Sequence, residues 1–424
     1  MKFISKITTS QLFKITSLNS ISVLLKIGIG LITSKILALF VGPSGMALVG
    51  NLKNFTTSLE SISTMGFQNG IVKYVAENKE EKAKINSIFS TVFSTLLLVS
   101  VGLSCVLFFF ASYWNLQIFG VQFDFTIVFR CLALLLPWYA SSLFLLSFIN
   151  GLGQYKNVIY INIIGNIIGL LVSVLMIVKW QTLGALLSIV VTPSLLFFVT
   201  YYSISKEINL FKSINFKSID FNIIRYLSSF SLMALVSSVV GPIVFLAIRN
   251  YVIHKVGLEE AGYWETISRI SSYYLLFVTT IITIYFLPKL AMAKTNEATK
   301  SIFWSFYKYQ LPLFIIGVVI IYFLRFFIIN TLFTKAFLPV TALFFWQMIG
   351  DILKVASWIL AFNLLAKKMT LAFIVTELFS LIVTYFFSLY FVNQYGIEGI
   401  VMAHAMTYLI YLIVLGIYFR KSLF

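Results

Sequence analysis

The stretch FFWQMIGDILKVASWILAF (344–362) decides the fold class. It has the length of one membrane-crossing helix, about 20 residues, yet Asp351 and Lys354 stand in its middle. In a soluble protein that pair would be ordinary. In lipid each charge costs about 2.5–3.5 kcal/mol at the bilayer centre, so both must face protein or water.

Similar runs fill the rest of the chain. Of 424 residues, 60% are hydrophobic and 11% charged, with a mean hydropathy of +0.98. A soluble domain averages about 45–50% apolar and about a quarter charged. The class that follows is an all-α polytopic membrane protein. Twelve transmembrane helices are predicted, at approximately 14–40, 44–72, 85–112, 124–149, 156–178, 181–204, 222–250, 259–288, 301–329, 337–365, 370–392 and 397–419. No connection is long enough for a soluble domain. The N-terminal MKFISKITTSQLFKITSLNS (1–20) is polar, and the run after it carries Lys26, so it does not read as a cleaved signal. Cys105 and Cys131 lie in apolar segments and read as inert core residues, which leaves no disulfide frame, zinc site or other cofactor expected. His254 and His404 read as isolated.

Basic residues set the orientation. On the side of the N-terminus fall Lys2, Lys6, Lys14, Lys73, Lys79, Lys82, Lys84, Lys156, Lys206, Lys212, Lys217, Arg225, Lys289, Lys294, Lys300, Lys367, Lys368, Arg420 and Lys421, 19 in all, against 4 on the other: Lys179, Lys255, Arg325 and Lys335. The excess of basic residues inside puts both termini in the cytoplasm. The net charge of +17 is therefore mostly a topology signal, and no basic folded domain offers itself to nucleic acid.

The two halves echo each other. FVGPSGMALVGNL (40–52) pairs with KVGLEEAGYWET (255–266), matching Gly42 to Gly257 and Gly45 to Gly262. FINGLGQYKN (148–157) pairs with AFNLLAKKMT (361–370), matching Asn150 to Asn363, and TLGALL (182–187) pairs with IEGIVM (397–402), matching Gly184 to Gly399. The offsets are 215, 217, 213 and 215. Six helices per repeat keep both repeats in one topology, related by an axis along the membrane normal, as in one group of secondary transporters with the site between the halves. The expected division is an N-terminal lobe at 1–210, a cytoplasmic linker at 211–221 and a C-terminal lobe at 222–424.

Inside the spans remain eight cations (Lys26, Lys35, Lys53, Arg130, Arg249, Arg269, Lys308, Lys354) and four acids (Glu60, Glu265, Asp351, Glu377). Gln347, Asp351, Lys354 and Trp358 share one helical face, as do Glu265, Ser272 and Thr279, and as do Glu377, Ser380, Thr384 and Ser388. A stripe from Lys53 through Thr57, Glu60 and Thr64 to Gln68 matches them in the second span. Pairs such as Asp351–Lys354 and Glu265–Arg269 can be read as interhelical glue or as cavity walls. The excess of cations calls for an anion or water, and Arg in particular suits a phosphorylated ligand. A carboxylate in a partly dry cavity can change protonation as access alternates; proton and sodium coupling both fit. Gly241-Pro242, Pro137 and Pro193 mark kinks, static or hinged. Trp358, Tyr263 and Trp264 fall where they can stack on sugars.

VGPSGMALVGNLKNF (41–55), NGIVKYVAE (69–77), FLAIRNYV (245–252), GYWETISRISSYY (262–274), ITIYFLPKLA (282–291) and WQMIGDILKVASW (346–358) together resemble the Wzx-type flippases, the enterobacterial-common-antigen branch above all, within the multidrug/oligosaccharidyl-lipid/polysaccharide superfamily. The resemblance implies two six-helix lobes that alternate access across the bacterial inner membrane. It implies as substrate an undecaprenyl-diphosphate-linked oligosaccharide (lipid III or an O-antigen unit), moved from the cytoplasmic to the periplasmic leaflet. Polymerase and chain-length proteins of the same pathway are its implied partners, beside membrane lipids. By the resemblance Lys26, Lys53 and Arg249 match basic cavity positions, and Asp351 with Lys354 matches the charged pair of the tenth helix. Lys53 stands where Arg is usual, and Glu265 lies seven residues before Ser272, near which relatives carry an acid. The expected substrate-binding set is Lys26, Lys53, Arg249, Arg269 and Lys354, and the expected coupling set Asp351, Glu265, Glu377 and Glu60. Two rivals stay open. A cation-coupled small-molecule exporter of the same fold would favour an acid-rich cavity, and a membrane-embedded glycan polymerase or glycosyltransferase would need a large outer loop.

Overall fold

The computed structural model describes residues 11–205 and 220–423. Lys2, Lys6, Lys206, Lys212, Lys217, the side chain of Lys14 and most of the expected linker at 211–221 lie outside the described residues. Every regular element described is a helix. In order these are α1 (Gln11–Phe40), α2 (Gly42–Ser63), α3 (Gln68–Glu77), α4 (Lys82–Phe109), α5 (Ala111–Phe119), α6 (Thr126–Gly151), α7 (Tyr155–Ser205) and α8 (Phe221–Leu235). After them come α9 (Gly241–Lys255), α10 (Leu258–Ile281), α11 (Leu287–Met292), α12 (Asn296–Ser305), α13 (Leu311–Phe323) and α14 (Arg325–Leu332). The last are α15 (Val340–Ala366), α16 (Thr370–Tyr395), α17 (Glu398–Tyr418) and α18 (Arg420–Leu423).

Among the described residues, ten helical segments are long and apolar enough to cross a membrane. One of them, α7, runs 51 residues and breaks at Gln181, where φ is 47°. At 1.5 Å per residue it has the length of two crossings. The 22-residue α2 has the length of another but carries Lys53 and Glu60. With these the helices are compatible with the twelve expected spans. The protein is an all-α, multi-pass membrane protein.

The chain divides into two compact units, one of Met1–Ile36 with Leu52–Val239, the other of Leu37–Asn51 with Val240–Phe424. The first unit has its core where α3, α4, α6, α7 and α8 meet, around Phe67, Ile71, Phe89, Phe144, Phe148 and Leu227. Gly151 lets α6 approach α3 there, since a Cβ would press on Val75 and on the Val72 carbonyl. Because lipid tails are as apolar as these side chains, close packing rather than expulsion from water holds such helices together. The two halves of α7 form an antiparallel hairpin. Gly165 faces Leu196, Gly169 faces Thr192, and Ser173 shares a hydrogen bond with Thr192 at 3.3 Å.

In the second unit α15 is the central helix, with α10, α11, α13, α14, α16 and α17 packed against it. Its residues Phe344, Val355, Ile359 and Leu364 are fully buried. Side chains such as Leu98, Phe109 and Phe323 are largely exposed and present apolar surface to lipid. Cys105 is also exposed and Cys131 only partly buried, so the expectation that both sit in the core is corrected. Their small apolar side chains are as much at home against lipid as against protein.

Three prolines share one local solution. Turns of π-helix at Val236–Val240, Ile282–Phe286 and Phe306–Gln310 stand directly before Gly241-Pro242, Leu287-Pro288 and Leu311-Pro312. A proline ring clashes with the carbonyl four residues back and supplies no N–H. Widening the preceding turn moves that carbonyl aside without ending the helix. Pro137 and Pro193 instead lie inside α6 and α7 with no such turn.

The internal repeat shows in the backbone. Positive φ occurs at Gly42 and Gly257, at Gly153 and Lys368, and at Gln181 and Gly396, and the members of each pair are 215 residues apart. Each pair marks the same kind of place, a break between consecutive helices. Gly184 and Gly399, matched on sequence, repeat a packing detail as well: a Cβ on either would overlap the carbonyl eight residues earlier, of Met176 or of Phe391.

Candidate functional site

Asp351 is the most enclosed charge in the second unit, with no exposed surface. Its Oδ2 accepts hydrogen bonds from Ser271 Oγ and Tyr274 Oη of α10, both at 2.5 Å. Gln347, one turn earlier on α15, reaches Oδ1 at 3.2 Å and Oδ2 at 3.3 Å. His404 Nε2 of α17 lies 3.0 Å from Oδ1. A buried carboxylate without such partners would be costly, and these meet the need. Gly350 makes room for the imidazole, because a Cβ there would overlap His404 Cδ2 and lie 3.1 Å from Ala405 N. The reading of His404 as isolated is therefore corrected: it comes 53 residues along the chain to meet Asp351.

Lys354 is not among the partners of Asp351. Its Nζ lies over the Trp358 ring at 5.5 Å and over the Tyr408 ring at 5.1 Å from the centroids, and it is within electrostatic reach of Asp351 and Glu377. Aromatic faces attract the ammonium here. The i, i+3 spacing put both charges on one face but did not make them a contact pair.

A second cluster joins α2, α9 and α10. Arg249 is 3% exposed. Its Nη2 donates to Glu265 Oε2 at 2.8 Å, and Arg269 Nη2 donates to Glu265 Oε1 at 3.4 Å. Trp264 stacks beneath the Arg249 guanidinium at 4.9 Å, and Asn51 donates to Asn250 at 3.0 Å. Gly50 is required: a side chain there would occupy the place of the guanidinium. One carboxylate serves two guanidinium groups, so the trio keeps a positive charge. Arg249 Nε and Nη1 and Arg269 Nε are buried with no acceptor among the described residues. Buried donors of this kind are rare without a partner, and guanidinium forks match phosphate oxygens.

In the first unit Glu60, partly buried, accepts from Tyr139 Oη at 2.5 Å. Beside it Ser61 and Ser238 share a hydrogen bond at 2.5 Å, and Ser58 donates to the Val239 carbonyl at 3.2 Å, at the first π turn. Lys26 and Lys53 are exposed on α1 and α2. Arg249, Glu265 and Arg269 are thus brought together, Asp351, Lys354 and Glu377 gather around α15, and Glu60, Lys26 and Lys53 belong to the first unit. Tyr139, Tyr274 and His404 escaped the sequence reading, since aromatic and imidazole groups in apolar runs carry no spacing signal. Among the described residues no three His, Cys, Asp or Glu side chains converge as a metal site.

A helical, multi-pass chain with buried arginines and carboxylates has the features of a membrane transporter. The chain matches the family described as Polysaccharide biosynthesis protein over residues 12–294. It belongs to that family. It is 28% identical over 391 residues to the lipid III flippase of Escherichia coli (strain K12), covering 92% of this chain and 94% of the relative. Its fold is similar to that of the lipid II flippase MurJ in an inward closed conformation, with a TM-score of 0.73 and 17% identity over 95% of this chain and 87% of the other. It is also similar to an inward-facing multidrug resistance MATE family transporter of the MOP superfamily, with a TM-score of 0.70 and 11% identity over 93% and 95%.

Proposed function

We propose that this protein is a flippase, a transporter and not an enzyme, that moves a lipid-linked oligosaccharide from the cytoplasmic to the periplasmic leaflet by alternating access. The substrate class is an undecaprenyl-diphosphate oligosaccharide of the lipid III kind. The observation that carries the reading is Arg249, a buried guanidinium with two donor nitrogens lacking an acceptor, beside a carboxylate it shares with Arg269. An incoming diphosphate supplies the missing acceptors and neutralises the spare charge. The end-to-end similarity to a lipid III flippase supports it.

In this reading Arg249 and Arg269 take the diphosphate, and Lys26, Lys53 and Lys354 are further cationic contacts as the head group moves. Glu265 competes with the diphosphate for both arginines. Asp351, Glu377 and Glu60 form the ion-responsive set. The protein resides in the bacterial inner membrane with both termini cytoplasmic, the sense set by the 19 basic residues against 4.

The test is reconstitution into vesicles and transfer of a short undecaprenyl-diphosphate oligosaccharide between leaflets, for wild type and Arg249→Ala. Transfer by the wild type that is lost in the variant supports the reading. No transfer under either a proton or a sodium gradient moves a small-molecule exporter to the front.

A further inference from the structure

His404 touches the buried Asp351 carboxylate, and nothing in the transport reading above uses it. An ionised carboxylate is acceptor-only. Ser271 and Tyr274 give it hydroxyl donors, and the Gln347 Nε2 can only donate. Facing the same carboxylate, His404 Nε2 carries its hydrogen, which leaves Nδ1 as the atom where a proton is gained or lost. The His404 side chain keeps 19% of its surface while Asp351 keeps none. The imidazole is therefore partly open to its surroundings, while the carboxylate is enclosed by protein.

Charged and hydroxyl groups from several helices lie near the ring. From α15 come Asp351 and Lys354, and from α16 Glu377. α10 contributes Tyr274 and, further back along the helix, Glu265 and Arg269, which with Arg249 of α9 keep one positive charge. On α17 itself Tyr408 lies 4.9 Å from the imidazole and Tyr411 stands near Glu377. The Arg420 and Lys421 of α18 are four or more turns away, about 24 Å along a helix axis. Beside the ring two carboxylates stand against one ammonium, a single negative charge.

Resting on the flippase reading, we propose that His404 is the proton-carrying group of the transporter, with Asp351 its positioning partner. Nδ1 takes up one proton from water on one side of the membrane, forming an imidazolium held by Asp351 Oδ1, and returns it to water on the other. This makes the coupling ion a proton and moves the protonation event from the aspartate to the histidine. A carboxylate paired with an imidazolium draws less strongly on Ser271 and Tyr274. Those residues sit on α10, which also carries Glu265 and Arg269, so the change reaches the arginine cluster through one helix.

The chain has two histidines, so His254→Asn leaves one for proton magnetic resonance of the full-length protein in detergent. The expected result is that the C2–H signal reports uptake and release of one proton by the imidazole, and that Asp351→Asn changes this response because the carboxylate holding the ring is gone. A signal that reports no proton, or a response indifferent to Asp351→Asn, overturns the proposal. In vesicles, the wild-type distribution of substrate between leaflets should move about tenfold per pH unit imposed, as one coupled proton requires. His404→Gln keeps a donor to Asp351 and should not respond to the pH difference. A His404→Gln protein that still responds, or a wild type driven by sodium alone, overturns it. A wild type that transfers nothing under any gradient sinks the flippase reading and the coupling role with it, while the resonance titration still decides whether His404 binds a proton.

Discussion

Gly184 lies so close to Met176 that a methyl group on it would overlap the Met176 carbonyl, and Gly399 stands in the same relation to Phe391. The neighbour in each case is backbone and has little freedom to give. Alanine at either position should destabilise the protein by about 3 kcal/mol or more, the upper range for overpacking. Thermal unfolding in detergent checks this, with Gly317→Ala, where a Cβ meets open space, as the control. Equal melting points for Gly184→Ala and wild type would refute it.

Gly50→Ala should reproduce the transport defect of Arg249→Ala although it removes no charge. The new methyl takes the place of the guanidinium and pushes it off Glu265. A displaced guanidinium no longer meets the diphosphate proposed to bind it, and charge-assisted hydrogen bonds worth about 1.5–3 kcal/mol correspond to roughly ten- to a hundredfold weaker binding. Initial transfer rates at several substrate densities separate this from a general loss of fold.

Tyr139→Phe should cost about 1–3 kcal/mol of stability, because the partly buried Glu60 carboxylate loses its phenolic donor. Glu60→Gln combined with Tyr139→Phe should cost less than the two single changes added together. A double-mutant cycle by denaturation reads the coupling directly, and an additive result would mean that the short contact contributes nothing.

Pro288→Ala should let the π turn at Ile282–Phe286 return to α-helix, since the clash that widens it is gone. The expected signature is slower amide hydrogen exchange across 282–286. Unchanged exchange would mean that packing, and not the proline, sets the turn.

The spans were legible because each is a long apolar run, and Gly42, Gly184 and Gly399 carried the repeat because only small residues fit where helices turn back or approach closely. Gln181 and Lys368 adopt the same left-handed backbone without being glycine, so two of the six repeat-related turn residues gave no signal. Gln347 and Asp351 were readable as one face because they are neighbours on one helix. Ser271, Tyr274 and His404 were not, since what joins them to Asp351 is packing between α10, α15 and α17. The Glu265–Arg269 pair was visible at i, i+4, while Arg249 joined it only through the α9–α10 turn. The Gly241-Pro242 break was foreseen, but the same device at Pro288 and Pro312 was hidden among longer apolar runs.

The turn at Gln181 also bears on how the chain is made. Its two helices are joined with no slack, so neither can settle in the bilayer while the other waits in water. Residues 155–205 form one hairpin with no loop between its helices. A nascent chain released after the first helix would expose Gly165 and Gly169 to lipid, where a smooth glycine face has nothing to grip. The two helices thus complete each other's packing, and a length of chain ending inside that hairpin leaves Gly165 and Gly169 without the residues they face.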